Sequence, residues 1–358
     1  MPVYKSDDGK TWYVQCYYRD ADGKNRHKTK RGFTTQTAAA VWEADFLAAM
    51  DGTMSMTFEA FVERYEEDVR PRLKENTWLT KEHIIKTKLV PFFGKMRMND
   101  ITSKDVVTWQ NKMLGSYDDT GKPFSQTYLR TINNQTSAIF NHAVRHYGLR
   151  ESPVKATISI GDRKGPEMKF WTREQYLLFS ETVMDKPKSY YAFEVLYWCG
   201  LRVGELLALT EDDIDFEKQL MHITKSYQHL KGEDVITTPK TPKSKRIIAM
   251  PDFLVEEMHD YIVSLPSDHK TDDRLFPFSK YYLHHEMRRG CKLCGLEPIR
   301  IHDLRHSHVS LLIDMGFSAL AIADRMGHES VDITYRYAHL FPNQQTEMAK
   351  ALSAKKVI

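Results

Sequence analysis

The chain has 358 residues, with 51 Lys and Arg against 48 Asp and Glu, a formal charge of +3, and 41% hydrophobic residues. Its length suggests two or three units, each able to bury a core, and so mild a charge names no partner. No apolar run approaches the ~20 residues that a bilayer span requires, and "MPVYKSDDGKTWY" lacks a signal-peptide layout, so a cytoplasmic protein without a membrane partner is expected. Four scattered cysteines exclude a disulfide framework. "CKLCG" (291–295) has metal-like spacing, yet no second ligand pair follows it, so the reading is two ordinary thiols and no metal.

Residues 3–34 predict short strands around "TWYVQCYYRD" and "HKTKRGF", joined by the turn-forming "DADGKN". The helix "TTQTAAAVWEADFLAAM" follows, opened by threonine caps and stopped at Asp51-Gly52. The second strand carries Lys24, Arg26, Lys28, Lys30 and Arg31 with no acid among them. Such a basic sheet surface could track a phosphate backbone or enter a DNA groove, or be an ordinary solvated face.

From residue 56 the period changes. Phe58, Phe61, Val62 and Tyr65 recur at three- and four-residue spacing, and similar stretches fall at about 76–90, 102–114 and 125–147. Residues 56–156 therefore predict a small all-helical domain, and "TISIGDRKGPEMK" (157–169) a linker. Residues 170–358 predict helices, a β-rich interval, then helices again. In that interval "LMHITKS", "DVITTPK" and "RIIAMP" are strand candidates connected by "YQHLKGE" and "TPKSK", the second placing Lys240, Lys243 and Lys245 at a hairpin tip.

Three short stretches could carry chemistry. In "CGLRVGELLAL", Gly200 breaks an apolar helix with Arg202 at the break and Glu205 one turn on. An arginine there is costly to bury without an anion, which could be a phosphate or simply Glu205. In "IHDLRHSH", His302 and Arg305 at i and i+3 turn toward one point and can donate to one phosphate, while His306 points elsewhere. His308 could suggest a metal with the other histidines, but no acidic partner segment appears. In "MGHES", Gly327 suggests a helix end that frees His328 to enter a cleft, or the ring is an ordinary surface histidine. Tyr337 follows nine residues after His328 in "YRYAHL", which also holds Tyr335, and the two tyrosines cannot both face one phosphate.

Arg202 in "GLRVGEL", Lys240 in "TPKTPKSKR", His302 and Arg305 in "HDLRH", His328 in "GHES" and Tyr337 in "YRYAHL" together resemble, in order and approximate spacing, the tyrosine recombinases, the phage and transposon integrase family. The likeness reaches the N-terminal regions. Integrases of Gram-positive mobile elements carry an arm-binding domain, a helical SAM-like core-binding domain and a catalytic domain, here 1–53, 56–156 and 170–358.

The resemblance implies a mainly α fold with small β elements and a mixed α/β catalytic domain. It implies a site-specific recombinase that cuts and rejoins DNA through a 3′-phosphotyrosine, with no cofactor. Tyr337 would be the nucleophile, Arg202, Arg305 and His328 would hold the phosphate, and His302 would assist deprotonation of the phenol. Lys240 would protonate the leaving 5′ oxygen, with Lys243 as its rival if the turn slips and Lys245 a phosphate contact. Expected partners are double-stranded DNA at core and arm sites, three further copies in a homotetramer on DNA, and accessory excisionase and DNA-bending proteins. The segment after Tyr337 would pack on a neighbouring subunit or form a frayed helix. The alternatives are a type IB topoisomerase and a non-cutting DNA-binding regulator.

Overall fold

A computed structural model describes the chain apart from residues 1–2, 7–8, 20–24, 51–53, 163–167, 240, 271–272 and 341–358. The chain forms two compact units, Met1–Pro166 and Glu167–Ile358. Among the described residues no helix is long and apolar enough to cross a membrane.

The first unit opens with an antiparallel sheet, β1 (Val3–Lys5), β2 (Trp12–Arg19) and β3 (Asn25–Phe33), in that order. Helix α1 (Gln36–Met50) covers one face, where Val14, Cys16, Ala39 and Phe46 form a small core. The register decides what the basic strand presents. Val14 stands opposite Lys30 and Cys16 opposite Lys28, and directly paired residues project to the same face. Lys28 and Lys30 therefore lie on the covered face, not on the open sheet surface expected from the sequence. The open face carries Tyr17 tilted against His27, and Arg31 over the ring of Tyr13.

A helical bundle completes this unit: α2 (Phe58–Val69), α3 (Glu75–Ile84), α4 (Val90–Phe93), α5 (Ser103–Leu114) and α6 (Gln126–His146). Thr57 caps α2, and Thr102 with Asp105 forms a capping box on α5. A π-turn over Ile85–Leu89 joins α3 to α4 just ahead of Pro91, which has no N–H to continue the ladder. Phe58, Phe93, Trp109 and Phe140 pack ring on ring at the centre. The sheet docks on α2, where Lys28 pairs with Glu67, Lys30 with Glu63, and Arg64 lies over Phe46. Residues 157–161 are bound to the bundle, since Gln110 donates to the Ile158 carbonyl and Asn133 to Ser159.

The second unit contains α7 (Arg173–Glu181), α8 (Pro187–Trp198), α9 (Val203–Leu206), β4 (Ile214–Asp215), β5 (Leu220–Ile223), β6 (Ser226–Leu230), β7 (Glu233–Thr237) and β8 (Arg246–Ala249). Then come α10 (Asp252–Val263), α11 (Lys280–Cys294), α12 (Asp303–Asp314), α13 (Ala319–Met326) and a 3₁₀ helix over Val331–Leu340. β4, β5 and β8 form one antiparallel sheet, while β6 and β7 form a separate hairpin. This corrects the predicted loops. "YQHL" is strand, the hairpin tip is Lys231-Gly232, both with positive φ as a tight primed turn demands, and β8 pairs with β5 rather than β7. Lys243 therefore sits on a single 3₁₀ turn, Pro242–Ser244, and not at a hairpin tip; Lys240 lies outside the described residues.

The core of this unit joins α7, α8, α10, α11 and the sheet around Phe179, Phe193, Leu196 and Phe276. Within it Glu194 accepts hydrogen bonds from Tyr176 and Trp198, each 2.7 Å, and burial raises its carboxyl to about 7. Helix α11 approaches α7 at Gly290, where an added Cβ would come within 2.6 Å of Phe179 and 2.8 Å of Val183. Gly290→Ala should therefore overpack the core and lower stability by about 1–3 kcal/mol, seen as a reduced melting temperature in thermal denaturation.

Candidate active site

Two left-handed glycines build the frame. Gly200, φ +63°, ends α8, and a Cβ there would meet the His308 ring at 2.7 Å. Gly327, φ +62°, caps α13, and a Cβ there would lie 2.8 Å from the Lys243 carbonyl. Both turns bring freed carbonyls to one side chain. Arg305, 3% exposed on α12, donates to the Gly200 carbonyl at 2.7 Å and the Met326 carbonyl at 2.5 Å. These carbonyls belong to the C-terminal ends of α8 and α13, where partial negative charge gathers. No described carboxylate forms an ion pair with Arg305. Burial, and then the charge of Arg202, lowers its pKa to about 9.

Arg202 is held differently. As the N-cap residue of α9 it donates from its backbone to Glu205 Oε2 at 3.0 Å and from Nη1 to Oε1 at 2.7 Å. Its side chain remains 36% exposed, so it is anchored on one side and open on the other. Glu205 also receives Arg246 at 2.9 and 3.2 Å, and Arg246 reaches the Arg325 carbonyl. Arg246 was not singled out in the sequence. It ends the run "KSKR", where nothing separates a buried guanidinium from its solvated neighbours. Burial pushes Glu205 upward, but Arg246 and Arg202 outweigh it and hold the carboxyl below its ordinary range.

His328, 8% exposed, is fixed by Thr334 through Nδ1 at 2.8 Å, leaving Nε2 as the ring's remaining polar atom. Burial and then the charges of Arg305, Arg202 and Arg246 lower it to about 4. His302 stands exposed where α12 begins. It too falls to about 4, first through desolvation and then through His306, Arg305 and Arg202. His308 is turned inward and accepts from Arg325 at 3.1 Å, so it takes no part in a cluster with His302. Among the described residues no group of three metal-ligating side chains occurs.

The two tyrosines separate cleanly. Tyr337 is 4% exposed and packs on Val309, Ile313, Ile322 and Met326, whereas Tyr335 is 57% exposed. Two residues of a 3₁₀ helix differ by about 240°, so the pair cannot share a face. Burial raises the Tyr337 phenol to about 12 against the opposing pull of Arg305. Its hydroxyl is hydrogen-bonded to His306 Nδ1. His306 therefore does not point away from the site as expected from its place beside Arg305. Helix α12 presents it toward the incoming 3₁₀ helix. Lys243 donates to the Glu329 carbonyl at 3.1 Å and Lys245 is exposed. In the first unit Lys28 and Lys30 are ion-paired to α2, Arg26 and Arg31 are exposed, and Lys24 is outside the described residues.

Two arginines, two histidines and a buried tyrosine thus gather where α8, α12 and α13 end or begin. Residues 170–344 match the phage integrase family, residues 57–114 its N-terminal SAM-like domain, and residues 2–50 an arm DNA-binding domain. The chain is similar to the ICEBs1 integrase of Bacillus subtilis, 31% identical over 313 residues covering 83% of each protein. The chain belongs to the phage integrase family. It is a tyrosine recombinase, an enzyme of DNA recombination, and it is also similar to a tyrosine recombinase of Pseudothermotoga lettingae, 26% identical over 262 residues covering 71% of this chain and 85% of that protein. Its fold is shared with a Tn1549 transposon integrase solved in complex with a circular intermediate DNA, TM-score 0.70 at 20% identity, covering 85% of this chain and all of that one. A lambda integrase tetramer bound to a Holliday junction has TM-score 0.58 at 20% identity, covering 92% and 95%.

Glu205 ties two of the integrase's arginines together, and its removal has a signed pH signature. Because its folded pKa is depressed, the stability it contributes is full above the unfolded carboxyl's range and fades as pH falls through the folded value. Glu205→Gln should cost about 3 kcal/mol at neutral pH, mostly through the buried Arg246 pair, and the gap from wild type should narrow in acid. Urea denaturation at pH 7 and pH 4 checks both the size and the trend.

Proposed function

We propose that Tyr337 attacks a DNA phosphodiester while Arg202 and Arg305 bracket its non-bridging oxygens. The observation that carries this is Arg305, a nearly water-free guanidinium whose hydrogen-bond partners are carbonyls and not an anion. A phosphate offsets that cost, and the more charged pentacovalent transition state offsets it further, which is the condition for catalysis rather than binding alone. His328, steadied by Thr334, donates to the same oxygens, and His302, exposed at the rim, is the residue to which the family resemblance assigns help in deprotonating the phenol.

The product is a 3′-phosphotyrosine with a free 5′ hydroxyl, whose bond energy lets a hydroxyl from a second duplex rejoin the strand. Lys240 protonates the leaving oxygen, with Lys243 as the second choice. Residues 170–358 act as the catalytic domain, 56–156 grip the core site, and 1–53 engage arm-type DNA. For that last role the open sheet face with Arg31, Tyr17 and His27 suits a groove better than Lys28 and Lys30, which α2 already holds. Exchange between two duplexes uses four copies of the chain on DNA. The arm-type sheet and the helical domain that precede the catalytic unit favour recombination over simple relaxation of one duplex.

A suicide substrate nicked near the crossover tests the reading by trapping protein on DNA. Tyr337→Phe should bind the duplex within a few-fold of wild type yet form no covalent complex on a denaturing gel. Tyr335→Phe should still form it, and the opposite pattern would move the nucleophile.

A further inference from the structure

His306 has no part in the chemistry described so far. Its Nδ1 meets the Tyr337 hydroxyl, and the two rings lie 5.6 Å apart between centroids at 54°. On the far edge of the imidazole, Nε2 lies 3.9 Å from Oδ1 of Asp303. That carboxylate is 1% exposed and locked by the fork of Arg300 at 2.7 and 3.0 Å. A carboxylate on the Nε2 side favours the tautomer with hydrogen on Nε2, which leaves the Nδ1 lone pair facing the phenol. The chain Asp303, His306, Tyr337 thus has the order orienting acid, base, nucleophile. His302, to which the family resemblance gives the proton, is exposed and meets His306 edge-on at 5.1 Å.

We propose that His306 is the catalytic base of the cleavage step, taking the phenolic proton from Tyr337 while Asp303 orients the ring; this rests on Tyr337 being the nucleophile. The Oη–H bond breaks and its proton passes to Nδ1 as the Oη–P bond forms. The P–O5′ bond then breaks with its electron pair on the 5′ oxygen, which is protonated by the active-site lysine. In the reverse step the imidazolium returns its proton to the departing phenolate, so no other reactant is consumed.

The groups facing the imidazole are Asp303, Arg300, Arg305 and His302 from α12 and the turn before it, His328 from the end of α13, and Tyr337 from the 3₁₀ helix. Burial lowers the His306 pKa and Asp303 only partly opposes it, so at neutral pH the ring is uncharged and able to accept. A base is needed here because the buried phenol is raised to about 12.

The test pairs a substitution with an acidified nucleophile. His306→Asn keeps a polar atom near the place of Nδ1 and can hold the phenol, but it cannot take a proton. On the nicked suicide duplex its single-turnover cleavage should fall by about 10²-fold or more with DNA affinity retained. Ring-fluorinated tyrosine at 337, whose phenol ionises more readily, should restore most of that loss. His306→Ala should regain cleavage with added imidazole. Cleavage by His306→Asn at the wild-type rate overturns the proposal, as does a loss that neither fluorination nor imidazole relieves. Tyr337→Phe runs alongside: a covalent complex in that variant would refute the nucleophile itself, whatever the His306 variants do.

Discussion

A guanidinium almost without access to water, held by two helix-end carbonyls and, among the described residues, by no carboxylate, is the constraint on which the C-terminal unit depends. Arg305 cannot be left there uncompensated, because desolvating a cation costs several kcal/mol even after relaxation. The carbonyls of Gly200 and Met326 supply part of the compensation. Each is available because a left-handed glycine, Gly200 or Gly327, ends the preceding helix. On the proposed function, the remainder is what an incoming phosphate would provide.

Glu205 solves the complementary problem of keeping a second arginine poised without satisfying it. It draws Arg202 to one side and Arg246 to the other, and its own burial is offset by both. Arg202 thereby keeps an open flank while its position is fixed, which is the preorganisation that electrostatic catalysis requires. The Glu205 pair fixes the guanidinium of Arg202 on one side, and this structural tie is compatible with the phosphate-binding role proposed for its open side. In the N-terminal unit the same physics gives the opposite result. Lys28 and Lys30 are drawn onto Glu67 and Glu63 of α2, so basic charge that looks available in the sequence is spent holding the sheet to the bundle.

What the sequence made legible was local. Threonine caps, the 3.6-residue period from Phe58 onward and the glycine breaks before Arg202 and His328 are written in neighbouring residues, and the helices stand where those signals lie. What it hid depended on register and on distant elements. "YQHLKGE" resembles a polar loop, yet Lys231-Gly232 folds it into a hairpin, and this removes Lys243 from a strand tip. The face of β3 follows from its pairing with β2, which composition does not reveal. Arg246 is one charge in a basic run until Glu205 approaches from 41 residues upstream. His306 is a quarter-turn from Arg305 and gains its contact only because the 3₁₀ helix at 331–340 returns from that side.

On the proposed function Arg305 serves the charge of the transition state rather than grip on DNA. Arg305→Ala, measured on one nicked duplex for both equilibrium binding and single-turnover cleavage, tests it most directly. Affinity should stay within a few-fold of wild type while cleavage falls by about 10³-fold or more, as for the loss of a strong preorganised donor. Cleavage that survives, or that falls only in proportion to binding, would contradict it.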